Sequence, residues 1–290
     1  MTLWTRWKKS VSVYFVASKS EGKLLNFNGK IVWVTGASSG IGRELCLKLD
    51  QLGAKLIMSS RNIEALERVL SACANPDEHR LLAFDLTDTQ ASQCIVERAL
   101  GFHQRIDVLF NNGGISQRSL AVNTTLEVDR KIMEVDYFGT IAITKAILPH
   151  MIDRVEGTII NIASVAGKLG SPMRSAYSGA KHALIGFMDC LRAEVASQGV
   201  NVIVVCPGFV KTSISENALT GDMSKYGKVD DEIEHGLPVE RFVEILLKKL
   251  NTSKKEIIVA NGLPKLGYQI RRFLPNVYHW VLPKIYKRKS

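Results

Sequence analysis

Thr35-Gly36-Ala37-Ser38-Ser39-Gly40-Ile41-Gly42 follows directly on the apolar run Ile31-Val32-Trp33-Val34 and leads into a segment carrying Leu45, Leu47 and Leu49. The order is that of a strand, a glycine-rich turn and a helix. Backbone that passes close to a pyrophosphate has no room for Cβ atoms, and a helix N-terminus offers free N–H groups and the positive end of its dipole to an anion. A nucleotide-binding βαβ unit opens in this way. Glycines also serve ordinary turns, so the flanking sequence has to decide.

Outward from that stretch, short apolar runs alternate with longer helical patterns. Strands are predicted at 31–35, 55–59, 81–84, 107–110, 158–162, 201–205 and 256–259, and helices near 40–52, 62–73, 88–100, 124–152, 175–198 and 239–250. Continuous Val/Ile/Leu strands separated by helices indicate a parallel sheet covered on both faces. The expected fold class is therefore α/β, a single Rossmann-type, doubly wound sheet of seven strands with its ligand at their carboxyl ends. The predicted domain spans 29–262, flanked by extensions at 1–28 and 263–290. Segment 211–236 departs from the pattern, being polar and glycine-containing. A connection that long in a compact domain reads as a lid.

The chain has 290 residues, of which 46% are hydrophobic, enough for a large core. Its five cysteines are scattered, with no Cys-x-x-Cys pair and no histidine cluster. That spacing favours reduced thiols and gives no reason to expect a structural metal. The net charge of +10 is uneven. Arg6, Lys8, Lys9, Lys19 and Lys23 crowd the N-terminal end, and Lys265, Arg271, Arg272, Lys284, Lys287, Arg288 and Lys289 crowd the C-terminal one, leaving the body close to neutral. Trp4, Trp7, Tyr14 and Phe15, then Tyr268, Phe273, Tyr278, Trp280 and Tyr286, accompany those charges. Rings with lysines and arginines suit a membrane interface, so peripheral membrane contact is expected. No nucleic-acid recognition motif accompanies the charge, and nucleic acid is not an expected partner. No run approaches the ~20 apolar residues of a membrane span, and the stretch 11–17 is too short for a signal-peptide core.

The strand ends favour one cofactor. An NAD enzyme places an acidic residue after the second strand to bond the ribose hydroxyls. This chain has Ser60 and Arg61 there, and arginine can grip a 2′-phosphate that a carboxylate would repel. The reading is NADP(H). Asp85 and Leu86 follow the third strand, where an adenine amino group would lie, and Asn111-Asn112-Gly113-Gly114 follows the fourth.

Ser164 lies just past the fifth strand, and Tyr177 and Lys181, four apart, share one helix face. A free tyrosine titrates near 10, too high for efficient proton exchange at neutrality. A lysine ammonium beside it, with the oxidised nicotinamide, would stabilise the phenolate. Ser164 would hold the substrate carbonyl oxygen as negative charge builds on it.

Together these motifs resemble the short-chain dehydrogenase/reductase superfamily: Thr35-Gly36-x-x-x-Gly40-Ile41-Gly42, Asn111-Asn112-x-Gly114, Ser164, Tyr177-x-x-x-Lys181, and Pro207-Gly208 with Thr212. The resemblance covers about residues 29–262. It implies that Gly36, Ser38, Ser39, Gly40, Ile41 and Gly42 hold the pyrophosphate. It also implies that Asn112, Tyr177, Lys181, Pro207, Val210 and Thr212 surround the nicotinamide ribose and carboxamide; Gly113, Gly114 and Gly208 are expected to contact the cofactor as well. The stretch Asn111 to Leu120, with Leu148-Pro149-His150-Met151, is similar to the family member 7 branch, which is associated with endoplasmic reticulum membranes and with reduction of steroid, retinal and xenobiotic carbonyls. Members of that branch carry an N-terminal membrane helix. No such run occurs here, and the expected location is peripheral, on the cytosolic side of that membrane, or cytoplasmic. The long helices near 124–152 and 175–198 resemble those that pair family members into homodimers.

One departure matters. The family places an asparagine in the long helix, where it helps hold a water linking the lysine to solvent. This chain has Asp136 in Val135-Asp136-Tyr137-Phe138-Gly139, and the aspartate could still anchor that water and could pair with Lys181. A carboxylate so close to Lys181 would weaken its pull on Tyr177, slowing turnover or shifting it to alkaline pH without abolishing it. Gly113 in place of the usual alanine is expected to be benign. The sequence reading is an NADPH-dependent carbonyl reductase, reversible as an alcohol dehydrogenase, with Ser164, Tyr177, Lys181 and Asp136 in its catalytic group. Ile214, Leu219, Met223 and Tyr226 of the lid would receive an apolar substrate. A cofactor-binding scaffold with little turnover is the alternative, supported by Asp136.

Overall fold

The computed structural model describes residues 25–287. The N-terminal basic and aromatic residues, and Arg288 and Lys289, lie outside the described residues.

The strands are β1 (Ile31–Thr35), β2 (Lys55–Ser59), β3 (Arg80–Leu81), β4 (Val108–Asn111), β5 (Gly157–Ile162), β6 (Val200–Pro207), β7 (Val210–Lys211), β8 (Leu237–Pro238) and β9 (Glu256–Val259). Seven form one parallel sheet in the order β3-β2-β1-β4-β5-β6-β9, and β7 pairs with β8 apart from it. The order reverses between β1 and β4, so a crevice opens at their carboxyl ends.

The helices are α1 (Gly40–Gln51), α2 (Ile63–Leu70), α3 (Ser92–His103), α4 (Leu126–Met133), α5 (Thr140–Asp153), α6 (Ser175–Glu194), the single turn α7 (Asp231–Glu234), α8 (Val239–Leu250), α9 (Gly262–Phe273) and α10 (Pro275–Lys287). Strand residues alternate their side chains between the faces, and two cores result. Val32, Val34, Leu56 and Phe110 meet Leu45 and Leu49 of α1 and Phe242 and Leu246 of α8. Trp33, Ile57 and Leu109 meet Ile95, Ile147, Leu184 and Met188 of α3, α5 and α6. The Trp33 indole N–H finds its partner in the Ser59 hydroxyl at 2.9 Å.

Three local readings change. The third strand is regular only at Arg80–Leu81, although Leu82 and Phe84 still donate to the Met58 and Ser60 carbonyls and keep the segment beside β2. The helix expected over 124–152 is interrupted by a π-helical turn at Glu134–Gly139, between α4 and α5. The C-terminal residues, read only as a basic and aromatic tail, form two helices. Pro264 in the first turn of α9 and Pro275 at the start of α10 are helix-start signals that the reading passed over. No described helix is long and apolar enough to cross a membrane.

Asp50, Cys73 and His79, far apart in sequence, come together under α1. Hydrogen bonds satisfy the Asp50 carboxylate: Ala74 N–H, Asn75 N–H and the Asn75 amide donate to it, and His79 Nε2 lies 3.1 Å away. His79 Nδ1 accepts the Leu56 N–H, so the imidazole is neutral, and burial holds it below its ordinary pKa. The cluster ties α1 to the loop before β3.

Candidate active site

The crevice at the β1/β4 reversal is a cleft of about 540 Å³. Its floor depends on how closely two turns can approach. Gly36 has φ +65, and a Cβ on it would stand 2.7 Å from Gly113 Cα. A Cβ on Gly42 would collide with the Gly36 carbonyl and the Asn112 amide. Asn112 Nδ2 donates to the Thr35 and Gly36 carbonyls at 3.1 Å each, and Thr35 Oγ1 accepts the Asn112 and Gly113 N–H groups. Beneath them, the Asn111 amide donates to Asn161 Oδ1 and Thr144 Oγ1 at 2.8 Å each, bracing β4 against β5 and α5. The cradle suits a pyrophosphate, since the N-terminus of α1 opens onto it through Ser38, Ser39, Gly40 and Ile41.

Ser60, Arg61, Asp85, Leu86, Gly113, Gly114, Thr212 and Ile214 also line the cleft. Arg61 Nη1 lies 4.0 Å from Asp85 Oδ2, with both side chains exposed. Burial tends to raise the Asp85 carboxyl, but the Thr87 N–H and hydroxyl, with Arg61 and Lys131, hold it below the ordinary range. No acidic residue stands at the end of β2, where Ser59, Ser60, Arg61 and Asn62 line the wall. The sequence reading did not single out Thr35, Ser59, Asn62, Phe84, Ile115, Val135, Ser213, Asn217 and Lys225, which line the cleft as well. Thr35 and Ser59 end strands, and that position was the available signal. Gly42 belongs to the floor beneath the cleft. Pro207 ends β6, Gly208 N–H donates to the Val259 carbonyl, and Val210 lies in β7. At Gly113 a methyl group would meet Leu86 Cδ1, the mobile end of a side chain, at 2.6 Å.

Tyr177, Lys181 and Asp136 come together. Tyr177 is buried in an apolar cluster with Val128, Ile132, Ala166 and Ala180, and Leu219 and Met223 pack against it. Two of the four expected substrate residues thus pack on the cluster that contains the tyrosine. Ile214 faces the cleft instead, and Tyr226 is pinned by its N–H to the Ala218 carbonyl. Ser164 precedes the 3₁₀ turn Val165–Gly167 that packs on α6; its Oγ accepts the Ala166 N–H at 3.1 Å, leaving the hydroxyl proton to donate elsewhere.

Lys181 Nζ lies 5.6 Å from the Tyr177 ring centroid and 3.1 Å from Asp136 Oδ2. The aspartate is fully buried on the π turn, and its other oxygen accepts the Ile115 N–H at 2.8 Å. Burial pushes the Asp136 carboxyl up, against the pull of Lys181. Burial would also push the Lys181 ammonium down, but Asp136 overrides it and holds the lysine above its ordinary value. The lysine therefore meets a carboxylate directly, where the family resemblance implied an asparagine and a water.

The short chain dehydrogenase family profile matches residues 30–222. A dehydrogenase/reductase SDR family protein 7-like of Anopheles gambiae is 40% identical over 272 residues, 92% of this chain and 86% of that one. SDR family member 7B of Mus musculus is 38% identical, covering 87% and 80%, and SDR family member 7 of Homo sapiens is 38% identical, covering 89% and 78%. A solved short-chain dehydrogenase/reductase from Burkholderia phymatum, in complex with NAD, superposes with a TM-score of 0.76 at 21% identity over 86% of this chain and 95% of that one. One from Burkholderia cenocepacia, in complex with NADP, gives 0.74 at 24% identity over 89% and 99%.

The Lys181–Asp136 pair generates a prediction. Removing the carboxylate charge leaves the lysine field unopposed at Tyr177, which favours the phenolate. Asp136→Asn is expected to move the pH–rate profile for alcohol oxidation to lower pH. An unchanged profile contradicts the electrostatic role.

Proposed function

The chain belongs to the short-chain dehydrogenase family, and on that premise we propose that it reduces carbonyl groups of hydrophobic molecules with NADPH, reversibly. One observation carries the reading: Tyr177 stands among apolar side chains with Lys181 one helical turn further along the same face. NADPH supplies the hydride for the carbonyl carbon. Ser164 donates its free hydroxyl proton to the carbonyl oxygen, holding it as negative charge develops. Tyr177 delivers the proton that completes the alcohol, and its phenol is reprotonated from solvent. Lys181 fixes the tyrosine's electrostatic surroundings. Leu219 and Met223 exclude water and offer the apolar wall that a steroid, retinoid or other lipid carbonyl would meet.

Arg61 supports NADP(H) over NAD(H), since its guanidinium is exposed at the end of β2 with no acid on that strand end to repel a phosphate. Residues 29–262 would form the catalytic domain and 263–290 a membrane-facing tail. On α9 and α10, Leu263, Leu266, Phe273, Leu274, Val277 and Trp280 are exposed, and Lys265, Arg271, Arg272 and Lys284 lie among them without an acidic residue. Apolar and basic groups together suit an anionic lipid surface. Tyr278 is buried and donates to the Gly170 carbonyl at 2.6 Å, which anchors the tail to the loop after Ser164.

The function is tested by NADPH and NADH oxidation against steroid ketones, retinal and simple diketones. Consumption of NADPH in preference to NADH is expected, with loss of at least 100-fold in Tyr177→Phe and loss of cofactor preference in Arg61→Ala. Consumption that persists in Tyr177→Phe contradicts the assigned role.

The tail is tested by flotation with vesicles. Phosphatidylserine-containing vesicles should carry the wild type, and the double variant Phe273→Glu, Trp280→Glu should stay behind with an unchanged circular dichroism spectrum. Equal flotation of both contradicts the membrane contact. Substitution is preferable to truncation, because removing Tyr278 would also disturb the loop beside Ser164.

A further inference from the structure

Two arginines and one aspartate stand beside Tyr177 with no task in the reductase reading. Arg118 Nε lies 2.6 Å, and Arg174 Nη2 3.0 Å, from the same oxygen, Oδ2, of Asp230. Their side chains are 4%, 13% and 9% exposed for Arg118, Arg174 and Asp230. Asp230 Oδ2 is the acceptor that both guanidiniums have in common. Two positive charges thus meet at one carboxylate oxygen in a setting largely shielded from water, where ions are ordinarily matched because lone ones are costly to desolvate. Burial and the neighbouring Arg174 press Arg118 below the ordinary arginine range, against the pull of Asp230.

The geometry leaves recognition capacity unused. Arginine binds a carboxylate or phosphate best through two parallel N–H bonds. Here both guanidiniums converge on a single oxygen, so neither forms that fork with Asp230. Arg118 Nη1 instead donates to Ser116 Oγ and the Gln117 carbonyl at 2.7 Å each, which fixes its plane.

The cluster is also in the right place. Arg174 immediately precedes α6 and lies three residues before Tyr177. Its guanidinium is 5.4 Å from the ring centroid of Phe209, which sits between Gly208 and Val210. Arg118 follows the turn after β4. Its neighbour Gln117 accepts the Ala176 N–H at 3.1 Å, and Ser119 bridges to Arg174. Asp230 arrives from segment 211–236, whose Leu219 is bonded both ways to this strand-like stretch through Arg118 N–H and the Ser116 carbonyl. The two guanidiniums therefore lie between the start of the helix carrying Tyr177, the loop after β4 and the 207–210 stretch.

Resting on the reductase reading above, we propose that Arg118 and Arg174, oriented by Asp230, anchor an anionic group of the substrate, a carboxylate or a phosphate. The substrate is then an amphiphile: an apolar body against Leu219 and Met223, a carbonyl at Tyr177 and a negative charge on the arginines. Sites built this way favour the charged ligand over its uncharged analogue, which cannot supply the fork that Asp230 leaves unformed.

Binding to NADPH-loaded protein, measured by calorimetry, tests this without requiring turnover. The probes are medium-chain hydroxy acids, with the carboxylate at increasing distance from the hydroxyl, against their methyl esters, and alkyl monophosphates against the parent alcohols. Wild type is expected to bind the charged member of at least one pair about 10- to 100-fold tighter. Which pair responds identifies carboxylate or phosphate. Arg174→Leu and Arg118→Met should erase the preference, Arg174→Lys should retain part of it, and Asp230→Asn, which removes the competing carboxylate, should enlarge it. Equal affinity within every pair in the wild type overturns the proposal, as does a preference that survives both arginine substitutions; the cluster would then be only a latch for the lid. Failure of the reductase reading would show separately, as absent NADPH consumption alongside charge-selective binding.

Discussion

The carboxyl ends of β1 and β4 have to come almost into backbone contact, and the rest of the site follows from that constraint. Gly36 meets Gly113 across the crevice, and Asn112 and Thr35 tie the two turns with short hydrogen bonds. Side chains at Gly36 or Gly42 would push these strands apart and lift α1 away from the cleft. With the turns closed, the N-terminus of α1 faces an anion, the end of β2 faces its flank, and the loop after β4 is directed towards α6. Tyr177 and Lys181 are useful only because that loop and α6 enclose them.

Charge in the site is managed by pairing at close range. Lys181 and Asp136 form a buried pair that neutralises the lysine's field while keeping the ammonium protonated. Asp136 meets the lysine from within the π turn. Arg118 and Arg174 both converge on one oxygen of Asp230. The same chain thus damps positive charge behind Tyr177 and retains it to one side. That asymmetry fits a site that draws in a negatively charged molecule.

Much of this was legible in the residues. The glycine turn, the buried β-branched strands and the Tyr177-x-x-x-Lys181 spacing each report a short-range requirement, and they fixed the fold and the order of its parts. Asp136 beside Lys181 was legible too, since the departure from asparagine is a single substitution in a recognisable frame. The Arg118–Asp230–Arg174 cluster was not, because its members are brought together only by the docking of a long lid, and no local pattern encodes that. The break in the 124–152 helix was hidden for a related reason: a π turn is set by packing at Gly139 and Leu86 rather than by helix propensity. The tail helices were missed because attention to their charge obscured their proline-marked starts.

Hydride transfer is the central claim, and isotopic labelling tests it most directly. The protein would be supplied with NADPH carrying deuterium at the transferable C4 position and with a ketone it consumes, and the alcohol analysed by mass spectrometry. The account predicts one deuterium on the carbinol carbon per NADPH oxidised, with product formation collapsing in Tyr177→Phe. Cofactor that binds while no labelled alcohol forms from any carbonyl, or label that appears undiminished in Tyr177→Phe, would contradict it.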